Sequence, residues 1–166
     1  MKKQYIKTNL VFAALFIVLL FIDQMTKRWA AISLMRQDRV VIPNVLTFHY
    51  LENAGAAWGI FQNAIWLFAI ITVVVMAVIL YLYVKLPFER HYLYLRTAVI
   101  VLAAGAIGNF IDRALMHYVV DFIYLSCIHF PVFNVADCFV CISAICLLHA
   151  LLFYYKDEDF ICLKKK

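Results

Sequence analysis

The sequence predicts an all-α membrane protein with four transmembrane helices, a small extracytoplasmic β element and both termini in the cytoplasm. Of its 166 residues, 67% are hydrophobic and only 15% are charged, a composition outside the range of soluble domains. Four apolar runs approach or reach the roughly 18 residues that are needed to cross a hydrocarbon core. The basic residues are also divided unequally between alternate connecting segments, which indicates a fixed orientation.

The four predicted spans are approximate, and the first and third reach spanning length only with their flanking residues. They cover approximately 8–22, 64–84, 95–111 and 138–155. Lys2, Lys3 and Lys7 precede the first run as they would in a cleavable signal peptide, but no small-residue cleavage site follows. We therefore expect a retained span. Because no repeat or linker divides the chain, we expect residues 1–166 to form a single integral membrane domain.

The orientation follows from the basic residues near the ends of the spans. Ten of the fifteen lysines and arginines fall on the side that holds both termini: Lys2, Lys3, Lys7, Lys85, Arg90, Arg96, Lys156, Lys164, Lys165 and Lys166. Both termini are therefore predicted to be cytoplasmic. The net charge of +5 requires no nucleic-acid partner, since basic tails lie against the anionic lipids of the inner leaflet.

Two connecting segments on the opposite side carry more structure than simple turns. Residues 28–37 read as an amphipathic helix lying at the interface. Apolar and polar residues alternate within 40–53, which predicts a half-buried strand and hence a small sheet on the membrane surface. The second segment, 114–137, is apolar but interrupted by Asp121 and Pro131, and we expect it to lie along the bilayer edge.

Acidic side chains gather at the ends of the spans on that side. Asp23, Asp112 and Asp137 abut three spans, and Asp121 follows in an apolar context. Ionisable groups at membrane depth are functional candidates, because burial without a partner costs several kcal/mol. Any one of them could instead be a solvated boundary residue or half of an ion pair, as Lys27 four residues after Asp23 suggests.

Asp121 and Asp137 differ from the other acids because no basic residue adjoins them. Burial would favour their protonated forms unless the other acid or an amide compensates. Two carboxylates a few ångströms apart share one proton, so that one can accept a proton from water while the other polarises a carbonyl. This is the chemistry of an aspartic peptidase. Asn134 could hold a carboxylate or a peptide carbonyl by hydrogen bonding.

Five short motifs follow one another along the chain. They are DQxxK at Asp23–Lys27, NxGAA at Asn53–Ala57, GAxGNxxDR at Gly105–Arg113, VVDF at Val119–Phe122 and FNxAD at Phe133–Asp137. In order and spacing they resemble the motifs of the lipoprotein signal peptidase family, also called signal peptidase II. With the spans between them they cover roughly residues 10–155. Two positions depart from the family pattern: Cys138 stands where serine is common, and Trp58 where phenylalanine is common.

The resemblance implies a bacterial four-span aspartic endopeptidase of the cytoplasmic (inner) membrane, with its active site at the extracytoplasmic face. Such an enzyme removes the signal peptide from diacylglyceryl-modified prolipoproteins on the N-terminal side of the lipidated cysteine. By the same resemblance Asp121 and Asp137 are the catalytic pair. The residues expected to support the site or hold substrate are Asp23, Lys27, Asn53, Gly55, Asn109, Asp112, Arg113, Asn134 and Ala136.

The resemblance also implies an outer β-cradle over approximately 40–60 and a flap over approximately 114–130. No metal or other cofactor is expected, and prolipoproteins and membrane lipids are the expected partners. Family members are inhibited by the cyclic peptide globomycin, so the resemblance implies sensitivity to globomycin-like inhibitors.

Two other classes of protein share parts of this pattern. A proton-coupled carrier would also use intramembrane carboxylates, but it would place them at the midplane and show inverted repeats. A thiol–quinone oxidoreductase would need cysteine pairs in the outer segments, where only Cys127 clearly lies, with Cys138 at the boundary. The Cys138-x-x-Cys141 pair is a weak metal or redox signal, and the five histidines lack ligand spacing, so we expect these residues to pack or hydrogen-bond.

Overall fold

The structure, a computed structural model, describes residues 2–55 and 65–160. This part of the chain contains four long helices and one three-stranded sheet. The helices are α1 (Lys2–Ser33), α2 (Ile65–Lys85), α3 (Leu93–Met116) and α4 (Val135–His149), and a π-helical turn, Ala150–Tyr154, continues α4. The strands are β1 (Arg39–Ile42), β2 (Leu46–Asn53) and β3 (Val119–Leu125). This architecture confirms the predicted helical fold class with its small β element. Ala56, Ala57 and Trp58 of the motif region and Lys164–Lys166 lie outside the described residues.

All four helices are long and apolar enough to cross a membrane. Many of their large apolar side chains point away from the protein interior, among them Leu10 at 64% exposure on α1 and Trp66 at 67% on α2. Apolar surface of this extent is stable only when hydrocarbon covers it. The protein is therefore a multi-pass membrane protein.

α3 lies at the centre of the bundle and packs against each of the other three helices. Two glycines allow the close approach. A Cβ atom added to Gly105 would lie 2.6 Å from the backbone carbonyl oxygen of Ala136 and 2.9 Å from the side chain of Val140. A Cβ atom added to Gly108 would collide with the carboxylate of Asp23. Small residues permit such backbone contact between membrane helices, and here they allow both α1 and α4 to approach α3 closely.

α1 continues to Ser33 as one unbroken helix. The expectation of a separate interfacial helix over 28–37 is therefore wrong. The reason is that the polar residues after the apolar run are not solvated: Asp23 is 0% exposed and Lys27 is 3% exposed, and they form an ion pair one helical turn apart. Charges that pair with each other inside the protein do not end the helix, so Asp23 is the ion-pair partner of Lys27 rather than a solvated boundary residue.

The sheet is attached to the end of α1 by an aromatic cluster. The strands are antiparallel in the order β1-β2-β3, and β2 confirms the strand predicted within 40–53. The rings of Trp29, Phe48 and Phe122 meet edge to face with centroids 5.5–6.0 Å apart. Ala30 is buried beneath them. We call this end of the bundle the sheet end.

β3 occupies part of the segment for which the sequence predicts a flap over approximately 114–130. Its residues 119–122 are all buried, and the strand pairs with β2 along one side. On the other side, Ile123 and Phe133 exchange backbone hydrogen bonds of 2.8 and 3.0 Å. Hydrogen bonds on both sides hold this strand in the sheet, so residues 119–125 are an ordered part of the segment.

The opposite end of the bundle holds the beginning of α1, the α2–α3 connection and the residues after α4. The Tyr5 ring lies 3.9 Å from that of Phe88, and His91 contacts Asp159 at 3.0 Å. Arg96, near the start of the predicted third span, is a buried residue of α3 whose guanidinium lies 3.5 Å over Phe88. Both ends of the described chain therefore lie away from the sheet, as an even number of spans requires.

Substitution of Gly105 by alanine should destabilise the protein. Alanine is the better helix former, but the added Cβ must displace the backbone of Ala136, and overpacking of this kind costs about 1–3 kcal/mol. The measurement is thermal unfolding in detergent. A Gly105→Ala variant that unfolds at or above the wild-type temperature would show that the α3–α4 approach has room to spare.

Candidate active site

A cavity of about 310 Å3 lies at the sheet end, between the sheet and the ends of α3 and α4. Both Asp121 and Asp137 line it, so the structure places around one cavity the two acids that the sequence singled out. The other residues around it are Asn53, Gly55, Phe68, Asn109, Arg113, Val119, Phe130, Pro131, Val132, Phe133, Asn134 and Cys141.

Asp137 is fixed by the first turn of α4. Asn134 is the N-cap residue, and its side-chain oxygen accepts a hydrogen bond of 3.0 Å from the Asp137 N–H. In return, the Asp137 carboxylate accepts a 3.1 Å bond from the Asn134 N–H, which completes a capping box. The motif FNxAD is therefore a helix-start signal as well as the source of an acid. The second carboxylate oxygen of Asp137 accepts a 2.7 Å hydrogen bond from the Asn109 side chain.

Asp121 reaches the cavity from β3 and is 2% exposed. One of its oxygens accepts a 2.7 Å hydrogen bond from the Asn53 side chain, and the other accepts a 2.6 Å bond from the Asn134 side chain. Asn53 is itself oriented because its oxygen accepts a bond of 2.9 Å from the Gly55 N–H. The pairing of Asn53 with Val119 across β2 and β3 brings these groups into register.

Asn134 joins the two acids, since its side-chain N–H donates to Asp121 and its backbone N–H donates to Asp137. Asn134 is fully buried, so these bonds are not exchanged for water. Its side-chain amide also donates to the Asn109 oxygen at 3.1 Å. Every hydrogen bond to the two carboxylates in the described residues thus comes from a neutral amide, which is the compensation that the sequence argument left open.

The pKa of Asp121 is raised to about 6, first by burial and second by the negative charge of Asp137. Hydrogen bonds from Asn53 and Asn134 act in the opposite direction. A carboxyl group with this pKa holds its proton over a wider range of pH than a solvated aspartate does. The cavity therefore contains a carboxyl that can be an acid close to neutrality.

Beneath the cavity, Lys27 forms ion pairs with two further acids. Its ammonium lies 3.0 Å from the carboxylates of both Asp23 and Asp112, which are 0% and 2% exposed. It also donates a 2.8 Å hydrogen bond to the Asn109 side-chain oxygen. Asp23 in turn accepts a 3.0 Å bond from the backbone N–H of Ala136 on α4. This buried cluster ties α1, α3 and α4 together immediately below the cavity.

Gln24 is a member of this cluster to which sequence reasoning assigned no role. Its side-chain amide lies 3.1 Å from a carboxylate oxygen of Asp23, 3.0 Å from one of Asp112 and 3.3 Å from the Gly108 carbonyl oxygen. The sequence could have indicated this role, because Gln24 is a polar residue next to Asp23 at the end of an apolar run. Phe68 lines the cavity as well, and an apolar residue within an apolar helix gives no such signal.

Every residue predicted to belong to the site is part of this connected arrangement. Arg113 completes it, with its guanidinium 4.3 Å over the Phe68 ring and a 3.3 Å hydrogen bond to the Gly55 carbonyl oxygen. Cys141 lines the cavity, whereas Cys138 does not. The described cysteines are all free thiols, and within residues 2–55 and 65–160 no three His, Cys, Asp or Glu side chains are grouped to hold a metal ion.

Comparison with known proteins places this arrangement in a family. The profile of the family described as "Signal peptidase (SPase) II" matches residues 15–153. A lipoprotein signal peptidase of Staphylococcus haemolyticus is 42% identical over 155 residues, covering 91% of this chain and 94% of the relative. One of Streptococcus agalactiae is 39% identical over 144 residues, covering 86% and 90%. A solved structure described as a bacterial membrane enzyme superposes with a TM-score of 0.74 at 34% identity, covering 87% and 94%.

Fold, site and relatives together define the class of protein as a multi-pass membrane peptidase. The chain belongs to the signal peptidase II family, as its sequence motifs indicated. Membership of this family leaves the proton-coupled carrier and the thiol–quinone oxidoreductase without support.

Replacement of Lys27 by methionine should destabilise the protein by about 3–5 kcal/mol, because Asp23 and Asp112 would remain buried without their cation. Lys7→Met, on an exposed part of the same helix, is the matched control and should leave the unfolding temperature unchanged. Thermal unfolding in detergent measures both. Equal behaviour of the two variants would show that the ammonium of Lys27 is not needed to hold the cluster.

Proposed function

We propose that the protein is an aspartic endopeptidase that cleaves signal peptides from diacylglyceryl-modified prolipoproteins on the N-terminal side of the lipidated cysteine. The observation that carries this proposal is the pair Asp121 and Asp137, which line one cavity and share the amides of Asn134. The substrate class is supported by the relatives named lipoprotein signal peptidase.

The proposed reaction uses one proton shared between the two carboxyl groups. Asp137, ionised, accepts a proton from a water molecule as the water oxygen attacks the scissile carbonyl carbon. Asp121, protonated, donates its proton to the carbonyl oxygen, so that a neutral diol forms. Asp137 then passes its proton to the leaving nitrogen while a diol hydroxyl returns one to Asp121, which breaks the C–N bond and restores both acids.

The surrounding residues are proposed to orient these groups and the substrate. Asn109 and Asn134 fix the Asp137 carboxylate, and Asn53 fixes that of Asp121. Arg113 is a further candidate contact for the peptide, because it is a cation that lines the same cavity. We propose that the remaining members, which include Lys27, Asp23 and Asp112, support the site from below.

The proposed setting is the bacterial cytoplasmic (inner) membrane, with both termini cytoplasmic and the sheet end at the extracytoplasmic face. The distribution of basic residues supports this orientation. The lipidated peptide would enter from the bilayer, with residues 40–60 as a cradle at its surface and parts of 114–130 as a cover.

Globomycin-like cyclic peptides are proposed to occupy the same cavity. Residues 1–166 are proposed to act as one domain without a metal or other cofactor.

Asp121→Asn and Asp137→Asn should each lower the turnover of a diacylated prolipoprotein by about 10²–10⁴-fold, because each removes one partner of the proton transfer. Asp38→Asn is the matched control, since Asp38 is 53% exposed and its side chain pairs with His49, away from the candidate site. Cleavage in detergent measures all three, with unfolding temperatures as a check on folding. Near-normal turnover by a folded Asn variant at either position would refute the proposed pair.

The kcat/KM of the enzyme should fall as the pH rises through about 6, the pKa of Asp121 in the free protein. Below that pH Asp121 carries the shared proton, and above it the pair becomes doubly ionised and loses its acid. Since kcat/KM reports groups of the free enzyme, the decline should approach tenfold per pH unit. A profile that stays flat through neutral pH would contradict the assignment of the acid to Asp121.

A further inference from the structure

Arg113 is a cation beside the two acids that forms no direct ion pair with them. Arg113 lines the same cavity as Asp121 and Asp137, and its guanidinium lies within electrostatic range of both. Within residues 2–55 and 65–160, however, no carboxylate oxygen lies within 4.0 Å of it. Lys27 behaves differently, because its ammonium contacts two carboxylates at 3.0 Å. A specific interaction must therefore hold Arg113 away from the nearer charges.

Two contacts with uncharged groups hold the guanidinium. One is the hydrogen bond from Arg113 to the Gly55 carbonyl oxygen, at 3.3 Å. The other is the face of the Phe68 ring on α2, 4.3 Å from the central guanidinium carbon. The negative potential of an aromatic face attracts a guanidinium, more strongly so where water is excluded. Phe68 is the contribution of α2 to the lining of the cavity.

We propose that Phe68 is a positioning residue that keeps the Arg113 guanidinium out of ion-pair contact with Asp121 and Asp137. The inference rests on the proposed function, since it concerns the proton that these two acids share. Phe68 belongs to none of the five sequence motifs.

The separation matters because a direct ion pair would remove the shared proton. An opposite charge in contact with a carboxylate lowers its pKa by about 1–3 units, so Arg113 paired with Asp121 would leave both acids ionised even at pH values below about 6, where Asp121 otherwise holds the shared proton. Held at a distance, the guanidinium still attracts negative charge that develops on a substrate carbonyl. The charged and titratable groups around the pair are Asp23 and Lys27 on α1, Asp112 and Arg113 on α3, Asp121 on β3, and Asp137, Cys138 and Cys141 on α4.

The test is the pH profile of kcat/KM for Phe68→Leu and Phe68→Met, compared with wild type. Both variants remove the ring face, and the methionine keeps a long apolar side chain in case leucine leaves the helix poorly packed. Loss of the ring should release Arg113 towards the acids and move the basic limb of the profile about one pH unit lower. At a pH above that limb, turnover should be about tenfold lower.

Phe68→Tyr and Trp66→Leu are the matched controls. The first retains the aromatic face, and the second removes a ring from the same helix at a position that is 67% exposed. Both should keep the basic limb of wild type. The proposal is overturned if Phe68→Met lowers kcat/KM equally at every pH, which indicates packing alone, or if Phe68→Tyr shifts the limb as far as Phe68→Met does. A wild type that does not cleave the lipopeptide would refute the proposed function, whereas active enzymes with unshifted limbs would refute the positioning role alone.

Discussion

The position of one ammonium group determines much of the architecture at the sheet end. Lys27 lies between Asp23 and Asp112, and all three are excluded from water. Buried charges are tolerated only when each finds a partner of opposite sign and further hydrogen bonds. These bonds are available because the Asp23 carboxylate reaches the backbone of Ala136 and because Lys27 also reaches Asn109. The requirement for neutralisation thus fixes the relative positions of α1, α3 and α4.

The two acids of the cavity above this cluster have no cation in direct contact among the described residues. Asp121 and Asp137 receive hydrogen bonds from amide groups, while Lys27 and Arg113 make their contacts elsewhere in the described structure. Amides orient a carboxylate without cancelling its charge, so the mutual repulsion of two acids persists and favours a proton between them. Cations stabilise the fold and neutral donors orient the proposed chemistry. Asn109 lies between the buried ion pairs and the cavity, because it contacts both Lys27 and Asp137.

The sequence predicted what composition and local order determine. Apolar runs revealed four helices, alternation revealed β2, and the absence of cations near Asp121 and Asp137 distinguished them from the other acids. It failed where tertiary contacts override local pattern. The extension of α1 past Lys27 depends on an ion triad completed by a distant helix, and the strand at 119–125 depends on pairing with Phe133. Phe68 could not be identified because its apolar side chain is ordinary in a membrane helix.

The capping box at the start of α4 makes the geometry around Asp137 depend on synthesis and insertion of the last helix. Asp137 is oriented by the same hydrogen bonds that begin the last helix, and its partner groups come from segments synthesised much earlier. A nascent chain still on the ribosome, or one whose final segment has not entered the bilayer, lacks the geometry altogether. The arrangement around Asp137 can therefore form only after the last helix has been synthesised and inserted.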